Sequence, residues 1–150
     1  MDSPNITCVI HIATTPEALW DALTSSEALK KNWGRIESRW TRGSTVTEVA
    51  ESGKILWKGE VVRSEPPRCL AFTFDVTGSG EPPTEVTFEL TAPDTEVAPD
   101  RPVVKLTVTQ TGFEKNSKLF AGCSRAWPEI ISSVKTYLET GRPLAFVWKH

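Results

Sequence analysis

The sequence predicts an α+β fold in which an antiparallel sheet grips one long C-terminal helix. Three patterns carry this reading. From Ser38 to Gln110, apolar and polar residues alternate with a period of two, the signature of strands with one wet face. Towards the C-terminus a single apolar stripe recurs at spacings of three and four, as on an amphipathic helix. Between the first strand-like run and the alternating region stand two helix-start signals in tandem.

The opening run Ile6-Thr7-Cys8-Val9-Ile10-His11-Ile12 is rich in β-branched residues and reads as a strand. Thr14-Thr15-Pro16-Glu17 then starts a helix, with a Thr cap, an early Pro and an acid in the first turn. Ala18, Leu19, Ala22 and Leu23 continue it at helical spacing. Thr24 and Glu27 fit a capping box, which predicts a second short helix through Ala28, Leu29 and Trp33 to Gly34. Val46 and Val49, then Ile55, Trp57, Val61 and Val62, form two extended runs about the turn Glu51-Ser52-Gly53. Pro66-Pro67 ends the second run. Leu70, Phe72, Phe74 and Val76 mark one further strand, Val86, Phe88 and Leu90 another, and Val104, Leu106 and Val108 a third. The final helix is predicted from about Asn116 to Thr140, with Leu119, Phe120, Cys123, Trp127, Ile130, Ile131, Val134 and Leu138 on one stripe. Gly141 and Pro143 stop it, and Pro128 is expected to bend or split it. No repeat, low-complexity segment or linker divides the chain, so residues 1–150 are expected to form a single domain.

Composition narrows the function. Hydrophobic residues make up 39% and charged residues 24%, an ordinary globular balance. A net charge of -2 with both signs interspersed suggests no basic face, so nucleic acid is not an expected partner. No apolar run reaches membrane-spanning length, and Met1-Asp2-Ser3-Pro4 lacks a basic start. Cys8, Cys69 and Cys123 are odd in number, widely spaced and without a CxxC pair, which fits reduced thiols and a cytoplasmic location. With only His11 and His150, a His-rich metal site is not expected, and no cofactor is implied. Cys8 and His11 fall on opposite faces of one strand and form no dyad. Cys123 lies on the apolar helix stripe and reads as a buried, inert thiol. Glu60 and Glu89 are expected to face solvent. Gly78-Ser79-Gly80 precedes no helix and is no phosphate loop. Arg35, Arg39 and Arg42 near Trp33 and Trp40 read as solvated surface charge. No catalytic residue emerges.

The aromatic residues are the informative set: six Trp and six Phe stand against one Tyr and one Met. Alternation sends Phe72, Phe74 and Phe88 to the same side as Leu106, facing the helix stripe at Phe120, Cys123 and Trp127. With Trp33 and Trp57 these residues are expected to line a cavity of roughly 300–1,000 Å³ between sheet and helix. Gln110 keeps the parity of Leu106 and Val108, so its amide should point inward and serve as a polar anchor. Plain core packing is the competing account of the same rings. The expected function is binding of a small apolar or aromatic ligand. Cyclase- or hydrolase-like catalysis in the same cavity is a second reading, and a protein-interaction module, such as a chaperone partner or a homodimer, a third.

Four ordered segments also carry a family likeness: Ala13-Thr14-Thr15-Pro16-Glu17-Ala18-Leu19-Trp20-Asp21-Ala22-Leu23-Thr24; Gly59-Glu60-Val61-Val62 with Pro66-Pro67-Arg68-Cys69-Leu70-Ala71-Phe72-Thr73-Phe74; Val86-Thr87-Phe88-Glu89-Leu90; and Leu106-Thr107-Val108-Thr109-Gln110-Thr111-Gly112-Phe113. In that order they resemble the bacterial, stand-alone relatives of the C-terminal domain of the activator of Hsp90 ATPase, within the START/Bet v 1-like (SRPBCC) superfamily. The resemblance implies a helix-grip fold with a seven-stranded antiparallel sheet, two short helices after the first strand, and an apolar pocket beneath the last helix. Members of that superfamily bind lipids, hormones or aromatic polyketides, and a few catalyse cyclisation or hydrolysis. Where many relatives carry His, this chain has Gln110.

Overall fold

The computed structural model describes residues 3–147; Met1 and Asp2 and the C-terminal His150 lie outside them. The elements run β1 (Ile6–Ile12), α1 (Pro16–Thr24), α2 (Ser26–Asn32), β2 (Ile36–Ser38), β3 (Thr45–Val49), β4 (Ile55–Glu65), β5 (Cys69–Val76), β6 (Thr84–Thr91), β7 (Val104–Thr111) and α3 (Phe120–Thr140). The strands form one seven-stranded antiparallel sheet in the order β1-β7-β6-β5-β4-β3-β2. Strands β2 to β7 follow one another as a meander, and β1 joins at the far edge, with Ile6 opposite Gln110 and Ile12 opposite Val104. This is the helix-grip architecture the sequence pattern predicts.

Period-two alternation sets the inner face. Ile6 and Ile12, Phe72, Val86 and Phe88, and Leu106 and Val108 are all buried, whereas Thr7, Glu85, Glu89 and Thr111 between or beside them are exposed. Two register shifts bend the sheet, one at Glu48/Val49 and one between Val61 and Arg63. Gly59 adds a close approach: a Cβ there would overlap the Thr73 carbonyl.

The helices depart from the sequence reading in four places. Ser25, not Thr24, caps α2, accepting from the Ala28 N–H at 3.4 Å. The Thr24 hydroxyl instead donates back to the Trp20 carbonyl at 2.7 Å, which leaves it no cap to make. Helix α2 ends at Asn32, with Trp33 as its C-cap. Helix α3 begins at Phe120 rather than near Asn116, because Glu81 holds the preceding segment as a loop. Its carboxylate accepts from the Ser117 hydroxyl and from the Lys118 N–H, the latter at 2.8 Å. Pro128 does not split α3, which is one helix of 21 residues capped by Gly141, φ 84°, in the left-handed region. The three-residue β2 has no periodic signal of its own.

Polar contacts fix α3 at its C-terminal end. Glu139 accepts from the Ala13 N–H at 2.8 Å and from Lys135 at 2.7 Å, and Lys135 also donates to the His11 carbonyl at 2.8 Å. Further in, the Ser133 hydroxyl donates to Asn32 at 2.8 Å, and Asn32 donates to the Ala28 carbonyl at 3.0 Å. Both side chains are buried, so this pair ties α3 to α2. The Leu144 N–H completes the network on Ser133 at 3.1 Å, turning the chain after α3 back over the molecule.

Candidate functional site

The inner face of the sheet and the apolar stripe of α3 meet over a continuous set of rings. Trp57 on β4 stacks on Phe72 on β5 with centroids 5.7 Å apart, and Phe74 tilts against Trp57 at 4.5 Å. Phe72 meets Phe88 edge to face at 5.8 Å, and Phe88 meets Trp127 on α3 at 5.7 Å. Trp33, carried by the turn after α2, inserts between the two layers. It stacks on Trp57 at 5.7 Å and meets Trp127 edge to face at 5.1 Å. Offset and edge-to-face pairs of this kind add about 0.5–1.5 kcal/mol each beyond area burial. Ring-to-ring contacts thus run across the interface where the sequence pattern predicts a cavity.

Burial grades the predicted residues. Trp57, Phe72, Phe88, Leu106, Gln110 and Trp127 are buried, whereas Trp33, Phe74, Phe120 and Cys123 are only half-buried. Phe120 packs edge to face on Phe113 at 5.3 Å, a little apart from the main stack. Sequence reasoning missed Trp40, which sits edge to face on Phe72 at 5.9 Å in a left-handed conformation, φ 55°. Ser38 and Ser64 hold its backbone there, at 3.0 and 2.7 Å.

The Gln110 amide does point inward, and it finds partners in the protein. Its Nε2 donates to Thr84 Oγ1 at 2.9 Å, and its Oε1 accepts from Trp127 Nε1 at 2.7 Å. Burial pushes the Cys123 thiol above its ordinary range, against the opposing pull of its hydrogen bond to Gln110. Such a thiol ionises less readily than a free cysteine. Cys8 and Cys69 are likewise raised by burial.

A second polar group lies under the rings and was also missed. Glu48 on β3 is 6% exposed, and its Oε1 accepts from Trp57 Nε1 at 2.7 Å. Its signal was parity: Val46 faces inward, so Glu48 two residues on does too. Val49, of opposite parity, is half-buried, and a register shift falls between it and Glu48. Arg35, Arg39 and Arg42 are exposed, as are Glu60 and Glu89. Among the described residues no three His, Cys, Asp or Glu side chains are grouped to hold a metal ion, and no helix is long and apolar enough to cross a membrane.

The sheet and the long terminal helix together define a helix-grip domain. The chain belongs to the family described as activator of Hsp90 ATPase homolog 1-like proteins, whose model matches residues 13–139. Among solved structures it is similar to the protein MLL2253 from Mesorhizobium loti, at 24% identity and a TM-score of 0.74 over 89% of this chain and 97% of that one. The Aha1 dimer from Colwellia psychrerythraea, also 24% identical, gives 0.72 over 92% and 98%. An HSP90 activator from Plasmodium falciparum, 17% identical, gives 0.70 over 93% and 97%. No curated protein sequence matches the chain.

Proposed function

We propose that this protein is a single-domain, cytoplasmic binding module for a small, largely apolar ligand held between the sheet and α3. The observation that carries the reading is the grading of the ring cluster. Trp57, Phe72, Phe88 and Trp127 form its buried floor, while Trp33, Phe74, Phe120 and Cys123 leave it half open. A site that admits a ligand needs such an edge. Gln110 lies beside this edge. Its amide would exchange one internal hydrogen bond for one to a ligand polar group.

The test is native mass spectrometry of protein purified from its own host. It is followed by titration with flavonoids, fatty acids and sterols, read by Trp fluorescence and thermal shift. A retained small molecule, or a saturable rise in melting temperature with quenching, is expected. If the protein arrives empty and no apolar probe moves either signal, the reading fails.

The family match and the likeness to an HSP90 activator favour a second reading, a module that touches a chaperone. It predicts that adding the protein raises the ATPase rate of the host's Hsp90. An unchanged rate would remove it.

A further inference from the structure

A cleft of about 530 Å³ opens between the α1–α2 junction, the loop from β2 to β3 and the end of β4. Arg39 and Arg42 stand in its walls with Trp20 and Thr41, and the buried Trp40 lies between the two arginines in the chain. We propose that this cleft binds a phosphate monoester on a flat, largely apolar body, with the two guanidinium groups taking the phosphate and Trp20 the body.

Three observations converge on it. First, both guanidinium groups are exposed and, among the described residues, neither is paired with a carboxylate. Glu65, next to Ser64 of the cleft wall, is held by Arg63 at 2.7 Å. Glu37 lines the neighbouring hollow beside Arg39 without bonding it. A chain of net charge -2 has no general attraction for anions, so two unmatched arginines in one cleft are a local feature. Their planar forks match phosphate oxygens two at a time. Second, the loop is preorganised. Trp40 is left-handed at φ 55°, which a bulky residue adopts only where its surroundings hold it. The Trp40 N–H donates to Ser38 Oγ at 3.0 Å, and the Ser64 hydroxyl donates to the Trp40 carbonyl at 2.7 Å. The Gly43 N–H donates to the Val61 carbonyl at 2.8 Å, and the Val61 N–H to the Ser44 carbonyl at 2.9 Å. The segment that carries both arginines is therefore tied to β4 at each end. Third, Trp20 is half-buried against the core and lines the same cleft. An indole offers a flat apolar surface and one N–H donor, which suits the body of such an ester. The cleft includes none of Trp33, Phe74, Phe120 and Cys123, so this assignment and binding beneath α3 can fail separately.

The probes are phenyl phosphate, inorganic phosphate and the neutral benzyl alcohol, titrated into isotope-labelled protein at low salt. The readouts are the Trp20 indole N–H and the Gly43 amide cross-peaks. Phenyl phosphate should shift both saturably and bind at least about tenfold more tightly than either of the other probes, the scale of one charge-assisted hydrogen bond. Arg39→Gln and Arg42→Gln should each weaken phenyl phosphate by about tenfold. Both residues are exposed, so both variants should melt with the native protein. Arg125→Gln, on the exposed side of α3, is the control and should change the affinity by less than about twofold. Trp20→Leu should weaken phenyl phosphate and leave inorganic phosphate unchanged; if that variant folds poorly, the two arginine substitutions decide alone. Benzyl alcohol or inorganic phosphate binding as tightly as phenyl phosphate overturns the proposal. So does an Arg125→Gln loss as large as that of Arg42→Gln, which would mark diffuse charge rather than a site.

Discussion

Trp127 touches Trp33, Phe88 and Gln110 at once, so its apolar and polar contributions can be separated by substitution. Trp127→Ala removes a ring that is 3% exposed and should cost on the order of 3–5 kcal/mol in urea denaturation. A clearly smaller loss would mean that the ring borders open space. Gln110→Leu leaves the Trp127 indole N–H and the Thr84 hydroxyl without their partner and should cost about 1–3 kcal/mol. Combined with Trp127→Phe, which removes the same donor, the two losses should fall short of additive by at least about 0.5 kcal/mol. Strict additivity would show that the bond contributes nothing. The inward aim of Gln110 was legible from its parity with Leu106 and Val108. Its partners were not, since Thr84 and Trp127 reach it from a neighbouring strand and from the helix above.

At the scale of elements, caps and breakers decide where helices begin and whether they survive. Ser25→Ala should destabilise the protein by about 1 kcal/mol because α2 loses its side-chain cap, whereas Thr24→Ala should have a smaller effect. A larger loss at Thr24 would restore it as the cap. Pro128 stands exposed inside α3 without an N–H for the turn before it. Pro128→Ala should therefore raise stability by about 1–3 kcal/mol, and a loss would show that the proline ring packs usefully. The two tandem helices were readable as signals in the chain. The choice between adjacent Thr and Ser as cap was not, because both hydroxyls are chemically suited and only backbone geometry selects one.

For the whole molecule, acid is the condition that should loosen the grip. Hydrogen bonds from the Ala13 N–H and from Lys135 hold the Glu139 carboxyl below its ordinary value of 4.5. The Ser117 hydroxyl, with the backbone of Lys118 and Leu119, does the same for Glu81. A carboxyl whose folded-state pKa lies below its unfolded one contributes fully above that ordinary value. The contribution is lost as pH falls through the folded-state pKa. Glu139 ties the end of α3 to the segment after β1, and Glu81 ties the segment before α3 to the β5–β6 loop. The melting temperature should stay level from about pH 7 to about pH 5 and decline below that, less steeply for Glu139→Gln. An identical acid slope in the variant would mean that the Glu139 contacts carry no stability.

The amino-acid sequence by itself determined the class of fold and the faces of its elements. Period-two and helical patterns record locally which side of each element avoids water, so the aromatic face of β5 and β6 and the Trp127 stripe of α3 could be read directly. Tertiary structure alone decided what those faces meet. Trp33 enters between the layers from a turn that has no periodicity, and the β2 edge exists only because β3 offers it partners. The inward side of Glu48 was legible from its parity with Val46, but what it meets there was not. A glycine across the gap and an indole from the next strand reach it from distant segments, and no local pattern encodes them.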